Sequence, residues 1–582
     1  MRDRSLVAAL VSVEALATAG DVLLGPYARV HWEERFNARQ GVQVLCGHLD
    51  QVLELQYRTF CGGCTVEALA SVPLFSLFGP TTLAWKLVPV AFHLITVATG
   101  AWLALHAAGR KAAVVFVALM AAAPGFYREL SLLGWGNHAE SSALTLLAAC
   151  LVVRGVGGAA LAGLVAGLGL WFCHTSAYGV PALAAVALAG GVSRLVAFGV
   201  GLPLGLQPLR AYFEARPEAQ AWSEDHFGGL EVAPPGKLLD WLGGDYLRWG
   251  LWDPKDYGEV AGGWWWLALW WLAGWGAWKA PRRFAPLAVV ALVAAYGLRF
   301  DLWKHLPDAP DQPFLNLRYL APLVPLLMLC AAARARWLAL PLVVFGIGQR
   351  VAIWEQVQVQ RLDQRVYAHD GWPDAAVPSG QPPQRDRRRW GRASDVQAAA
   401  AYLEAHSDGL AECRLDHLFE LGRRMGLALS LEPDALSEGL RAFDEDPLEE
   451  RFVADGVAKA LVREDGSDWG GWPPLTPLGD LEDAVAEALA RRVARHLDDR
   501  PIDASARGWC EGRGEAWVRQ VTGDGAHPPS EVAWPDEPGC STLAGGVGWA
   551  WPRYVGCDVV PFSEPGVERW WGASCRLHRG GP

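Results

Sequence analysis

Long apolar stretches recur from the amino terminus to about residue 353 and then stop. They fall near 6–26, 84–106, 112–127, 139–153, 158–174, 177–191, 195–209, 262–279, 284–298, 319–333 and 337–353. A helix that crosses a membrane needs about 20 mostly apolar residues, because the hydrocarbon layer is about 30 Å thick and each residue rises about 1.5 Å. The pattern therefore predicts an all-α polytopic membrane protein with about eleven spans. Residues 354–393 read as a linker leaving the membrane, with Pro378-Ser379-Gly380 and a basic run from Arg385 to Arg389. Residues 394–582 lose the long apolar runs. Val396, Ala400, Leu403 and then Leu415, Leu418, Leu421 follow helical spacing there, which predicts a mostly helical second domain.

Charge sharpens this division. Residues 1–353 hold 23 acidic and 26 basic side chains, and residues 354–582 hold 39 and 25. The first part is nearly neutral and the second is acidic, and neither has the concentrated basic face that a nucleic-acid binder needs. Five short connections carry basic residues only: Arg110-Lys111, Arg154, Arg194, Lys279 with Arg282-Arg283, and Arg334 with Arg336. Basic residues in short loops stay in the cytoplasm. The amino terminus is then inside, and with an odd number of spans the domain at 394–582 is extracytoplasmic. The expected home is a bacterial cytoplasmic membrane. Glu14 interrupts the first apolar run, and no clear small-residue cleavage site follows it, so this run is read as a retained span.

Three outer loops, 27–83, 207–261 and 299–318, are long enough to build a site. The first contains Glu33-Glu34 and Asp50. A shorter outer turn at 128–141 contains Arg128, Glu129 and then Asn137-His138-Ala139-Glu140 at the mouth of a span. Ionisable groups at that depth are costly unless paired or wetted, which makes them candidates for function. The last loop ends in Arg318-Tyr319-Leu320-Ala321-Pro322-Leu323-Val324-Pro325.

That Arg-Tyr-x-x-Pro-x-x-Pro entry to a late span resembles the GT-C superfamily of membrane glycosyltransferases, polytopic enzymes that use polyprenyl-phosphate-linked sugars. The start of the chain is similar too: one span, an acidic pair, a long outer loop, then Pro73-Leu74-Phe75-Ser76-Leu77-Phe78-Gly79 leading into the next span. The family's pair usually begins with Asp. Here both members are Glu, and Asp50 and Asp21 compete for the role. The resemblance implies transfer of a sugar from a polyprenyl-phosphate donor to an extracytoplasmic lipid, glycan or protein. Glu33 or Glu34 would act as the base on an acceptor hydroxyl. Arg318, beside Tyr319, would hold the donor phosphate with its permanent charge and fork of donors. Asn137, His138, Glu140 and Asp50 would complete substrate binding. The implied partners are the lipid-linked donor and membrane lipids, with a protein partner for the outer domain. The competing readings are a non-catalytic scaffold of the same build and a lipid or solute transporter.

Cofactor use stays open. His48 with Asp50, or His31 with Glu33, offers two ligands for a divalent metal, which falls short of a recognisable site. Eight of the 11 cysteines fall in stretches read as outside: 46, 61, 64, 413, 510, 540, 557 and 575. A bridge within the first loop, or among the last four, is the expected use in an oxidising compartment. The Cys61-Gly62-Gly63-Cys64 segment keeps a metal or redox alternative. A period of 34 residues links Leu418-x-x-x-Gly422 to Phe452-x-x-x-Gly456, and Gly508-x-x-x-Gly512 to Thr542-x-x-x-Gly546. That is the length of helical hairpin repeats, a protein-binding architecture.

Overall fold

The computed structural model describes residues 2–24, 32–47, 62–123, 125–137, 139–215, 262–279, 322, 324–334, 338–354, 447–461 and 482–494, with short helical pieces between 413 and 426 and at 510–513. These residues are mostly helical, and no strand occurs among them. In chain order the helices are α1 (Arg2–Leu24), α2 (Trp32–Leu45), α3 (Gly62–Phe78), α4 (Thr82–Ala108), α5 (Arg110–Ala121), α6 (Gly125–Leu132), α7 (Ser141–Val152), α8 (Val156–Phe172), α9 (Gly179–Ala189), α10 (Val192–Gly205), α11 (Gln207–Ala215), α12 (Gly262–Lys279), α13 (Val324–Arg334), α14 (Leu340–Trp354), α15 (Pro447–Leu461) and α16 (Glu482–Ala494).

Among the described residues, three segments are long and apolar enough to cross a membrane: Ser5–Leu23, Thr82–Ala108 and Val192–Glu214. Shorter apolar helices run over Gly62–Phe78, Ser141–Val152, Val156–Phe172 and Val324–Ala333. The apolar stretch at 284–298 lies outside the described residues. The stretch at 112–127 is not one helix. α5 ends at Ala121, and α6 starts afresh at Gly125, so Arg128 is carried on a separate short helix. Pro124 stands at this break, and a proline disfavours helical backbone in the residue before it.

The chain divides into two compact units. One comprises Met1–Arg29, Leu53–Ser71 and Trp85–Gln360; the other comprises Val30–Val52, Val72–Ala84 and Arg361–Pro582. The first unit holds the apolar bundle. Its core is built from α4, α5, α7, α8, α9, α12 and α13, with Phe116, Met120, Leu146, Phe172, Leu269 and Met328 buried. α8 and α10 approach to backbone contact, Gly163 lying against the Phe198 carbonyl and Gly201 against that of Ala160. Small residues permit this approach between membrane helices.

α1 distributes its polar and apolar residues in a way compatible with a membrane helix. Its buried face is Glu14, Thr18, Asp21 and Val22, whereas Val13 is 61% and Leu16 75% exposed. A helix in water does the reverse, turning its apolar stripe to the core. Three polar side chains inward and leucine outward is the arrangement that hydrocarbon solvent selects.

In the second unit a disulfide joins Cys46, just past α2, to Cys413 across 367 positions, with Cα atoms 5.1 Å apart. The sequence suggests a bridge within the first loop or among the last four cysteines; this one joins a first-loop cysteine to Cys413, which neither expectation includes. Cysteine spacing carries no information on such a pairing, because only the fold brings the two Cα atoms within bonding range. Leu418, Leu421, Val453, Val457, Val485 and Leu489 are buried, and α15 packs on α16. Gly422 lies against the Val453 carbonyl. The first pair of the 34-residue period thus meets face to face.

Candidate functional site

Glu14, Thr18 and Asp21 fall at i, i+4 and i+7 on α1, which places them on one helical face. His93 of α4 and Arg128 of α6 close over that face. The guanidinium uses three separate nitrogens. Nη1 donates to Glu14 Oε1 at 2.5 Å, Nε to Asp21 Oδ2 at 2.6 Å, and Nη2 to Thr18 Oγ1 at 2.7 Å. Thr18 Oγ1 also lies 3.4 Å from Glu14 Oε1. His93 Nε2 stands 2.9 Å from Glu14 Oε1 and 2.7 Å from Arg128 Nη1. All five side chains are buried. Burial disfavours a charged guanidinium, and the Glu14 and Asp21 carboxylates beside it offset that cost. Arg suits this position because its fork of donors reaches several acceptors in fixed directions, which a lysine cannot match.

One turn beyond Arg128, Lys86 near the start of α4 donates from Nζ to the Leu132 carbonyl at 3.1 Å. Lys86 is fully buried, and so is its neighbour Trp85, whose ring lies against Gly134. The connection from α6 to α7 then folds tightly. Glu140 turns back so that Oε1 accepts the Trp135 backbone N–H at 3.2 Å. Gly136 adopts a left-handed φ of 65°, and its carbonyl lies against Gly63 of α3. A Cβ on Gly63 would overlap that carbonyl, so the two glycines of Cys61-Gly62-Gly63-Cys64 serve close packing. Cys64 is disulfide-bonded, with its sulfur 3.5 Å from the Trp135 carbonyl. Cys64 is thus bridged and not held as a metal ligand, and Cys61 lies outside the described residues.

The sequence-predicted residues divide into three groups. Asn137 and Glu140 lie together in the α6–α7 connection. Asn137 is half-buried and its carbonyl accepts the Ser141 N–H at 2.9 Å, while Glu140 is buried. Glu33 and Glu34 stand in the first turn of α2, which belongs to the second unit, and Glu34 is buried. Asp50, His138, Arg318 and Tyr319 lie outside the described residues. Among the described residues no group of three or more His, Cys, Asp and Glu is arranged to hold a metal ion.

Sequence reasoning read Glu14 as a flaw in an apolar run and Arg128 as a residue of an outer turn. The signal that identifies them is periodicity. In a helix otherwise apolar over 5–23, Glu14, Thr18 and Asp21 recur on one face. Comparisons with protein families, curated proteins and solved structures find no match to this chain.

Proposed function

We propose that the chain is a glycosyltransferase of the GT-C type in a bacterial cytoplasmic membrane. It moves a sugar from a polyprenyl-phosphate donor to an extracytoplasmic acceptor. The observation that carries this reading is the polar layer at one end of the first unit. Asp21 is seven residues from Glu14 toward the end of α1, and Lys86 is seven from His93 toward the start of α4, about 10 Å along each axis. Asp21 is bound to Arg128 and Lys86 to the Leu132 carbonyl, and Glu140 and Asn137 follow in the next turn. Acids and a fixed cation gathered at one rim of an apolar bundle suit a substrate whose anionic head rests at the interface and whose tail stays in lipid. Asp21 joins Glu33 and Glu34 as a candidate base, and Arg318 remains the candidate phosphate ligand.

The Cys46–Cys413 disulfide supports the orientation. Both cysteines fall in stretches that the basic-loop rule puts outside, where disulfides persist.

A scaffold without chemistry is the second reading. It is favoured by one observation: Glu14 and Asp21 are both engaged by Arg128, as acids in a structural network are. Purified protein supplied with radiolabelled polyprenyl-phosphate sugars separates the two. The transferase reading expects label to move to an acceptor, and expects Asp21→Asn, Glu34→Gln or Arg318→Ala to lose that transfer at normal expression. Label that never leaves the donor with any sugar tried would decide for the scaffold.

A further inference from the structure

The buried cluster contains one group that helix association does not require. Arg128 alone ties α6 to Glu14, Thr18 and Asp21 of α1. His93 adds a ring whose charge can change. Two atoms on the facing helices α1 and α4, Glu14 Oε2 and His93 Nδ1, have no hydrogen-bond partner among the described residues, although both side chains are enclosed. Leaving buried polar atoms unpaired is costly, so their presence calls for an explanation.

The geometry around His93 Nε2 is a second observation. The atom lies within hydrogen-bond distance of both a carboxylate oxygen and a guanidinium nitrogen. A single ring nitrogen cannot accept from the guanidinium and donate to the carboxylate together. With its proton on Nδ1, the neutral ring accepts from Arg128 Nη1. With both nitrogens protonated, the ring donates from Nε2 to Glu14 Oε1. The two contacts correspond to two proton placements: the Nδ1–H ring serves Arg128, whereas a ring carrying a proton on Nε2 serves Glu14, and the charged form carries protons on both. The charged groups facing the ring are Glu14 and Asp21 from α1 and Arg128 from α6.

We propose that Glu14 and His93 form an intramembrane proton-binding site, in which proton uptake by His93 transfers the Glu14 carboxylate from Arg128 to the imidazolium. The proton comes from water and adds to the Nε2 lone pair. Only the Arg128 Nη1 hydrogen bonds to His93 and Glu14 are given up, and Arg128 keeps Asp21 and Thr18. Uptake thereby shifts the hold of α6 on α1 toward the Asp21 end. Buried carboxylate–histidine pairs within a bilayer suit proton relay and proton-coupled movement. This inference stands independently of the transferase reading.

The test uses the full chain in lipid nanodiscs with 15N-labelled histidine, followed by solid-state NMR, with His93→Gln identifying the signals. The expected result is that His93 changes from the neutral ring protonated on Nδ1 to imidazolium between about pH 8 and pH 5, the range in which imidazole ordinarily changes charge. Glu14→Gln should keep the ring neutral over the same range. A His93 that holds one state throughout, or that titrates identically in Glu14→Gln, overturns the proposal. Should His93→Gln not fold, infrared pH-difference spectra of wild type and Glu14→Gln decide the matter. Loss of imidazolium intensity in the variant supports the site, and identical spectra overturn it.

Discussion

Arg128 Nε donates to Asp21 Oδ2 at 2.6 Å, a buried bond between residues 107 positions apart that fastens a short helix to the first apolar helix. The same guanidinium reaches Glu14 and Thr18. Removing the guanidinium takes from two buried carboxylates the cation that both contact. Arg128→Ala should therefore destabilise the folded protein by about 3–5 kcal/mol, seen as a lowered melting temperature in detergent. Arg128→Lys should rescue little, because one ammonium cannot reproduce three directed donors. Glu14→Gln and Asp21→Asn combined with Arg128→Leu should recover part of the loss, since neutral replacement removes the desolvation cost as well. Equal stability of Arg128→Ala and wild type would show that the cluster does not hold the bundle.

Leu16 and Val13 test the solvent around α1. Leu16 is 75% exposed. On a helix facing water, Leu16→Asp would be nearly neutral. Facing hydrocarbon near the middle of a span, it should cost about 2.5–3.5 kcal/mol in membrane insertion. A membrane-insertion assay should show reduced insertion for Leu16→Asp and none for Leu16→Ala. Normal insertion of both would contradict a lipid-facing α1.

The Cys46–Cys413 bond predicts a simple fragment pattern. A protease site placed between Cys46 and Cys61 leaves Cys46 as the only cysteine of the first piece, so the two pieces should migrate together without reductant and separate with it. Cys46→Ser should give separated pieces under both conditions. The Cys46→Ser/Cys413→Ser pair should also lose about 2–4 kcal/mol of stability, the usual effect of a bridge that restricts the unfolded chain. Alkylation of the non-reduced protein should reach Cys150, Cys173 and Cys330 only after denaturation, because they are free and buried.

Gly63 and Gly136 form a contact that tolerates no side chain. Gly63→Val places a branched side chain against the Gly136 carbonyl, and Gly136→Val adds strain at a left-handed φ of 65°. Each should cost about 1–3 kcal/mol through overpacking and strain. The separation can be read from glutamate chemistry: Glu140→Gln keeps the acceptor for Trp135 N–H and should leave stability close to wild type, whereas Glu140→Leu should lower it by about 1 kcal/mol. Unchanged melting in Gly63→Val would mean that α3 does not close on the 134–136 turn.

The sequence by itself determined the apolar helices, because hydrophobic runs and breaks at Gly and Pro are local properties. Stretches such as 84–106, 139–153 and 262–279 reappear as α4, α7 and α12 within a few residues. Helical spacing also identified Leu418 and Leu421 as buried positions. Only the tertiary structure decided which ions meet. Glu14 and Arg128 each stand out as ionisable residues in their own segments, but their pairing across 114 positions depends on how α1 and α6 pack. The same holds for Cys46 and Cys413. Burial along a helix is a periodic property written in neighbouring residues, whereas a salt bridge or disulfide between distant segments exists only once the chain has closed the loop between them.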